Sequence, residues 1–338
     1  MSLGIDEPAA AGSEPEPEPE PERPTVIGGS TRFVPGQSNE RVTVVNGKVQ
    51  LGQRLVDLWR NRDLLILLTR TELKVKYKQS VLGYAWSMLN PALVLAIYYM
   101  IFKVISKTQQ PHFAIWLFCG LLVWNLFNNS AQASTTVVVG KAGIIKKVAF
   151  PRELLAMSTV GVAIVLFAIQ VVVLILFLLV FQLTPAWGLL WLLPLAFIAL
   201  LVFTSAVSIF LSAINVYLRD TQHLTEVALM AWFWLTPIVY PFGQVAPHLA
   251  RYHLTWLYLA NPIAPIAMTF QRVIYGHVDY VATVAQGNTA HKVTQLLPAY
   301  GAGWYAMLIG IVFVVSVILF LVSLMVFGRL EGNFAEEL

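Results

Sequence analysis

From Leu154 to Leu218 the chain carries no Asp, Glu, Lys, Arg or His, and from Val293 to Gly328 it carries no Asp, Glu, Lys or Arg. A helix that crosses a bilayer needs roughly 20 apolar residues, so each run is longer than one crossing requires. A soluble fold would have to hide both runs completely. In 338 residues with 57% hydrophobic and 12% charged content there is too little polar surface to do so, which argues against a soluble enzyme. The single cysteine, Cys119, lies in an apolar stretch and reads as a packing residue; one cysteine makes neither an internal disulfide nor a multi-cysteine metal site.

Charge is distributed unevenly. Residues 1–50 hold four basic and eight acidic side chains, whereas residues 51–80 hold seven and three. The alternating Glu14-Pro15 to Pro21-Glu22 segment combines proline with like charge, so residues 1–50 are expected to be a disordered acidic cytoplasmic tail. That tail also lacks the basic start and short apolar core of a secretory signal. Leu51, Leu55, Leu58 and Trp59 then recur at helical spacing among Arg54, Arg60 and Arg62, which predicts an amphipathic interfacial helix and basic collar over 51–80. The rival reading is an ordinary helix on a partner protein. Cations that border apolar runs fit anionic headgroups better than nucleic acid, and no nucleic-acid partner is expected.

The expected class is an all-α integral membrane protein with six spans, at about 80–103, 113–133, 154–181, 189–214, 222–241 and 304–327. Residues 331–338 would form a short tail. A further apolar stretch, 254–275, contains Asn261-Pro262 and Pro265, and the fifth span ends in Pro237 and Pro241, so straight helices there would lose backbone hydrogen bonds in lipid. An external re-entrant helical hairpin between spans five and six is expected instead. With the N-terminus inside, 17 of the 22 Lys and Arg fall on cytoplasmic segments, four of them in the short loop from Lys141 to Arg152. The positive-inside rule then places both termini in the cytoplasm.

Missing chemistry narrows the function. No acid occurs between Glu72 and Glu153, and Glu226 is the only acid inside an expected span, where it lies one turn from the cytoplasmic end and reads first as a boundary residue. Ion-coupled transport is therefore disfavoured. Gly47-Lys48 and Gly140-Lys141 lack the rest of a phosphate-cradling loop, so this chain is expected to bind no cofactor, and any ATP with its Mg must be held by another chain. His248, His253, His277 and His291 have no ligand-pair spacing, and no metal site is expected. Aromatic residues concentrate in spans one, two and five: Tyr84, Trp86, Tyr98, Tyr99, Trp116, Trp124, Trp232, Phe233, Trp234 and Tyr240. Most such residues are anchors or packing, but aromatic faces also stack on sugar rings, and Asn90, Asn125, Asn128, Asn129 and Gln132 offer bonds to hydroxyls. Uncharged polar groups suit a neutral glycan better than an ion.

The stretch from Arg62-Asp63-Leu64 through Glu72-Leu73-Lys74-Val75-Lys76-Tyr77-Lys78 to Trp86-Ser87-Met88-Leu89-Asn90-Pro91 resembles the first cytoplasmic segment and first span of ABC-2 type permeases that export polysaccharides and teichoic acids. Lys146-Lys147-Val148-Ala149-Phe150-Pro151-Arg152-Glu153 is similar to that family's loop between spans two and three. Asn215 to Asp220 and Trp234 to Pro241 are similar to its fourth loop and fifth span. The likeness covers roughly residues 55–330.

The resemblance implies a bacterial inner-membrane permease, as a homodimer of six-span subunits. It would dock on two copies of a separate ABC nucleotide-binding subunit and move a polyprenyl-diphosphate-linked glycan outward, among membrane lipids. Carried onto this sequence, the ATPase-coupling surface comprises Gly143, Ile144, Ile145, Lys146, Lys147, Phe150, Pro151, Arg152, Glu153, Arg219 and Asp220. The diphosphate would meet Arg62, Arg70, Lys74, Lys76 and Lys78. O-antigen, teichoic acid and cell-wall galactan exporters share these motifs, and the acidic Pro/Glu tail leans toward galactan. The rivals are an exporter of small drugs or lipids and a membrane-embedded glycosyltransferase.

Overall fold

The computed structural model describes residues 51–78, 86–105, 110–148, 150–276, 279–286 and 288–337. The acidic tail over 1–50 lies outside them. Where an interfacial helix and basic collar are expected over 51–80, the described residues form two helices, α1 (Leu51–Arg60) and α2 (Arg62–Tyr77). Asn61 separates them, because its side-chain amide donates to the Asp57 carbonyl at 2.7 Å while its backbone leaves the helical region. Leu51 and Leu58 of α1 face a buried cluster, whereas Leu55, Val56 and Trp59 are exposed and Arg62 lies over the Trp59 ring at 5.7 Å. Exposed apolar side chains beside cations match a headgroup layer.

The next elements are α3 (Trp86–Tyr99), continued by a π-helical turn at Met100–Ile105, then α4 (Phe113–Gly140), α5 (Ala142–Ile145), α6 (Glu153–Val180) and α7 (Leu192–Tyr217). Beyond them come α8 (Thr221–Trp234), α9 (Phe242–Arg251), α10 (Thr255–Leu259), α11 (Ile263–Phe270), α12 (Ala302–Leu330) and α13 (Phe334–Glu337). Among the described residues, α4, α6, α7 and Ala302–Asn333 are the four helices long and apolar enough to cross a membrane. They match four of the expected spans.

The other two expected spans are shorter. Residues 86–105 of the first are helical, and the apolar part, Pro91–Ile105, falls below crossing length. The fifth is reduced to α8, whose 14 residues reach about 21 Å against a hydrocarbon core of roughly 30 Å. Pro237 and Pro241 have no N–H to continue it. The 254–275 stretch is broken into α10, α11 and a π-helical turn at Gln271–Tyr275, and every residue of α11 is buried.

Two further elements depart from the expected pattern. Asp279–Gln286 (β1) and Asn288–Gln295 (β2) form an antiparallel hairpin in register from Asp279↔Gln295 to Gln286↔Asn288. Its β-branched residues Val281, Thr283, Val284, Thr289, Val293 and Thr294 favour a strand. The C-terminal tail also folds back, burying Phe334 against Phe327 and Tyr217.

In the bundle, α12 packs along α7, α4 lies against α6 and α7, and α2 crosses α6. The end where α4, α7 and α12 finish and α6 begins carries most of the cations and is called the basic end below. Gly161 is what lets α2 lie on α6, since a Cβ there would come within 2.5 Å of Thr69 Oγ1. Leu73 then packs with Val162 and Leu166. Gly161→Val should detach α2, at a cost of roughly 1–3 kcal/mol of overpacking. The check is a lowered unfolding midpoint of the purified protein in lipid, partly restored by adding Thr69→Gly.

Candidate functional site

Two features converge at the basic end. The first is the loop between α4 and α6. Gly143 and Ile144 lie on α5 and are exposed, as are Lys146 and Lys147. Ile145 and Glu153 are buried, so they hold the loop from inside, while Phe150, Pro151 and Arg152 are half-buried. Arg219 and Asp220, in the turn between α7 and α8, are exposed.

Ion pairs fix this loop at both ends. Lys141, which follows α4, pairs with Glu72 of α2. Arg54 of α1 pairs with Glu153 and reaches Glu331 Oε2 at 2.9 Å, while Arg152 donates to the Glu331 carbonyl at 2.8 Å. Burial works against charge on Arg54, but the two carboxylates more than offset it and raise its pKa. Sequence periodicity identified the collar but not these partners, which lie 99 and 277 positions away in the chain.

The second feature is a cavity of about 580 Å³ walled by α2, α3, α4, α6 and α8. Six of the expected pathway residues meet there: Tyr98, Trp124, Asn125, Asn128, Phe233 and Trp234. Tyr98 stacks on Phe233 at 5.8 Å and meets Trp234 edge-on at 6.3 Å. Asn125, Asn128, Asn129 and Gln132 all line the cavity, and their spacing of i, i+3, i+4 and i+7 puts them on one face of α4. Asn125 donates to Gln170 Oε1 at 3.4 Å and Gln132 to Asn128 Oδ1 at 3.1 Å. Each amide offers two donors and an oxygen acceptor, so these bonds leave capacity for a hydroxylated ligand.

Other expected residues lie elsewhere. Tyr84 is outside the described residues, and Trp86 and Asn90 fall in the first turns of α3, where the backbone alone is described. Trp116 is fully buried and stacks on Phe113 at 5.9 Å, which excludes it from the cavity lining. Trp232 instead donates to Asn261 Oδ1 at 2.9 Å, and Tyr240 donates to the Trp234 carbonyl at 2.6 Å; both hold the chain where proline breaks its helices. Tyr99 is exposed.

Three lining residues had other readings or none. Lys76, assigned to the collar, also faces the cavity, and burial lowers its pKa below the ordinary lysine value. Glu226, weighed as a boundary residue, is on the wall. Gln170 was not singled out, although a polar residue inside an uncharged apolar run is itself a signal. Of the collar, Arg62, Arg70, Lys74 and Lys78 are exposed along or just beyond α2.

Residues 63–275 match the pattern of the ABC-2 type transporter family. The O-antigen export system permease protein RfbA of Klebsiella pneumoniae is 32% identical over 277 residues, covering 82% of this chain and 95% of that protein. A protein of the same name from Myxococcus xanthus is 32% identical over 225 residues, or 66% of this chain and 85% of its own length. The matched region includes the loop between α4 and α6 and every described residue lining the cavity. The chain is thus a multi-pass membrane transporter subunit and belongs to the ABC-2 type transporter family.

Proposed function

We propose that this chain is the permease of an ATP-driven exporter that carries a polysaccharide, linked to a polyprenyl diphosphate, across the bacterial plasma membrane. The observation that carries the reading is the cavity, where aromatic faces and a stripe of neutral amides line one space inside a membrane bundle. Polar side chains at membrane depth are costly unless they face a cavity or a partner. Rings supply apolar faces for sugars while amides supply donors and acceptors for hydroxyls. The relatives from Klebsiella pneumoniae and Myxococcus xanthus, named for O-antigen export, favour a glycan over a small drug or lipid. An O-antigen or cell-wall galactan type of polymer fits both the relatives and the neutral lining.

In this reading both termini are cytoplasmic, with α3 and α8 completing six crossings beside the four long helices. The broken segment α9 to α11 forms an external re-entrant cap. Two copies pair, because α3 and α8 flank the cavity and leave Leu93, Ile97, Val227 and Met230 uncovered within one subunit. Pairing across these faces would put two cavities on a shared path. The collar of Arg62, Arg70, Lys74, Lys76 and Lys78 receives the diphosphate, whose charge lysine and arginine neutralise. Two copies of a separate ABC ATPase hold ATP and Mg and press on Gly143, Ile144, Lys146, Lys147, Arg152, Arg219 and Asp220. ATP hydrolysis supplies the driving force, and this chain supplies the path.

The chain should co-purify with an ATPase encoded beside it, and turnover of that complex in lipid should rise when the lipid-linked glycan is added. A chain that binds no ATPase would remove the exporter reading. Asn125→Leu with Asn128→Leu removes hydrogen bonds worth about 1 kcal/mol each and should weaken glycan stimulation on the order of tenfold, leaving assembly intact. Stimulation by small amphiphiles in place of glycan would favour the drug exporter.

The collar gives a separate expectation. Replacing Lys74, Lys76 and Lys78 together with Gln should raise the concentration of lipid-linked glycan needed for half-maximal stimulation, with membrane insertion unchanged. Export at the wild-type rate in that variant would rule out a headgroup role for these lysines.

A further inference from the structure

The pair formed by Glu72 and Lys141 lies between the two features of the site. Lys141 is the first residue of the loop that follows α4. Glu72 lines a smaller cavity of about 250 Å³, which shares Lys76, Asn129 and Leu166 with the main one. Glu72 and Lys76 are four positions apart on α2 and therefore lie on one face of it. The last turns of α2 are thus a wall of the cavity, and that wall is attached to the loop by a charge pair.

The rest of α2 is arranged to pivot. Its N-terminal side follows α1, which Arg54 ties to Glu153 and Glu331. Midway, Thr69 sits over Gly161 with no side chain between the helices, and one turn on, Leu73 packs with Val162 and Leu166. Glu72, which pairs with Lys141, lies between these two contacts, three residues after Thr69 and one turn before Lys76. Both partners are about one-fifth to one-quarter exposed, so the pair is only partly screened by water.

We infer that Glu72 and Lys141 are the positioning pair through which movement of the loop at Lys141–Arg152 shifts the cavity wall at Lys76. The inference rests on the proposed docking of an ATPase to that loop. Displacement of the loop carries Lys141, the ion pair draws Glu72 with it, and α2 turns about the Thr69–Gly161 contact. Lys76 and Val75 then move relative to Asn129 and Leu166, which changes the width of the space between α2 and α4. A pair that only stabilised the fold would leave the ratio of glycan exported to ATP hydrolysed unchanged.

The test uses the full chain assembled with its ATPase in lipid vesicles, comparing Glu72→Lys, Lys141→Glu and the double reversal. Each single reversal should retain assembly and basal hydrolysis but lower the glycan exported per ATP by about tenfold, within the usual range of coupling between sites. The double reversal, which restores the pair with its polarity exchanged, should recover most of that ratio. Single variants that export with the wild-type ratio, or a double reversal that assembles yet performs no better than either single, would overturn the inference. Should a reversal fail to assemble, Glu72→Gln and Lys141→Gln read the same ratio, and an unchanged value there also overturns it. Failure of the wild-type chain to bind an ATPase instead removes the functional reading on which the pair depends.

Discussion

Burying one carboxylate at the start of a membrane helix is costly unless a cation meets it, and the basic end of this bundle is organised around that requirement. Glu153 opens α6 with 2% of its surface exposed. Its partner is Arg54, which belongs to α1, and the same guanidinium also reaches Glu331 beyond α12. Gly328 makes room for the arrangement, since a Cβ there would lie 2.7 Å from the guanidinium carbon of Arg54. Three segments that are remote in sequence are thereby joined at one charge. Around it, Tyr217 donates to the Leu330 carbonyl at 2.7 Å and Arg152 lies over the Phe334 ring at 5.9 Å. A buried pair contributes modestly when intact, but loss of Arg54 would leave the buried Glu153 carboxylate without its cation, a change that costs about 3–5 kcal/mol in buried pairs. The helix α1 is therefore held to the bundle by a contact that depends most on Arg54, the one cation both carboxylates share.

Within the bundle the opposite economy holds. The cavity is lined chiefly by neutral groups, with Lys76 and Glu226 the charged ones among the described residues, and the amide stripe runs along one side of α4. Neutral amides can sit at membrane depth at moderate cost when they bond to one another, as Asn125 does to Gln170. They also exchange partners readily, since each bond they make is worth little net free energy. A polymer that passes through stepwise needs many weak, replaceable contacts rather than a few strong ones.

Much of this was legible in the sequence because membrane depth leaves few solutions. Long uncharged runs fitted membrane helices, and α6, α7 and α12 begin and end within three residues of the expected spans, while α4 starts where expected and runs seven residues further. Proline at 237, 241 and 262 marked places between helices, whereas Pro265 lies in the first turn of α11, where its missing N–H interrupts no helical bond. The partners of Arg54 and Glu72 were not legible, because ion pairs between distant segments leave no periodic trace. The strands were overlooked because eight residues with mixed alternation are weak beside the long apolar runs. Trp116 and Trp124, eight positions apart in one helix, could not be told apart by composition; packing alone puts the first in the core and the second on the cavity.

The two ends of the bundle are held by different mixtures of contacts, with ion pairs gathered at the basic end. At the end opposite the basic one, side chains bond to carbonyls beside the proline breaks. Tyr275 donates to Pro111 at 2.6 Å, Tyr305 to Pro298 at 2.9 Å, and Asn261 bridges Trp232, Thr236 and the Ile263 amide. Such bonds weaken steeply once distance or angle departs from the optimum, so they fix that end in one geometry. At the basic end charge pairs, whose attraction falls only in inverse proportion to distance, stand beside directional bonds from Tyr217 to the Leu330 carbonyl and from Arg152 to the Glu331 carbonyl. That end carries the loop, the collar and the wall of the cavity.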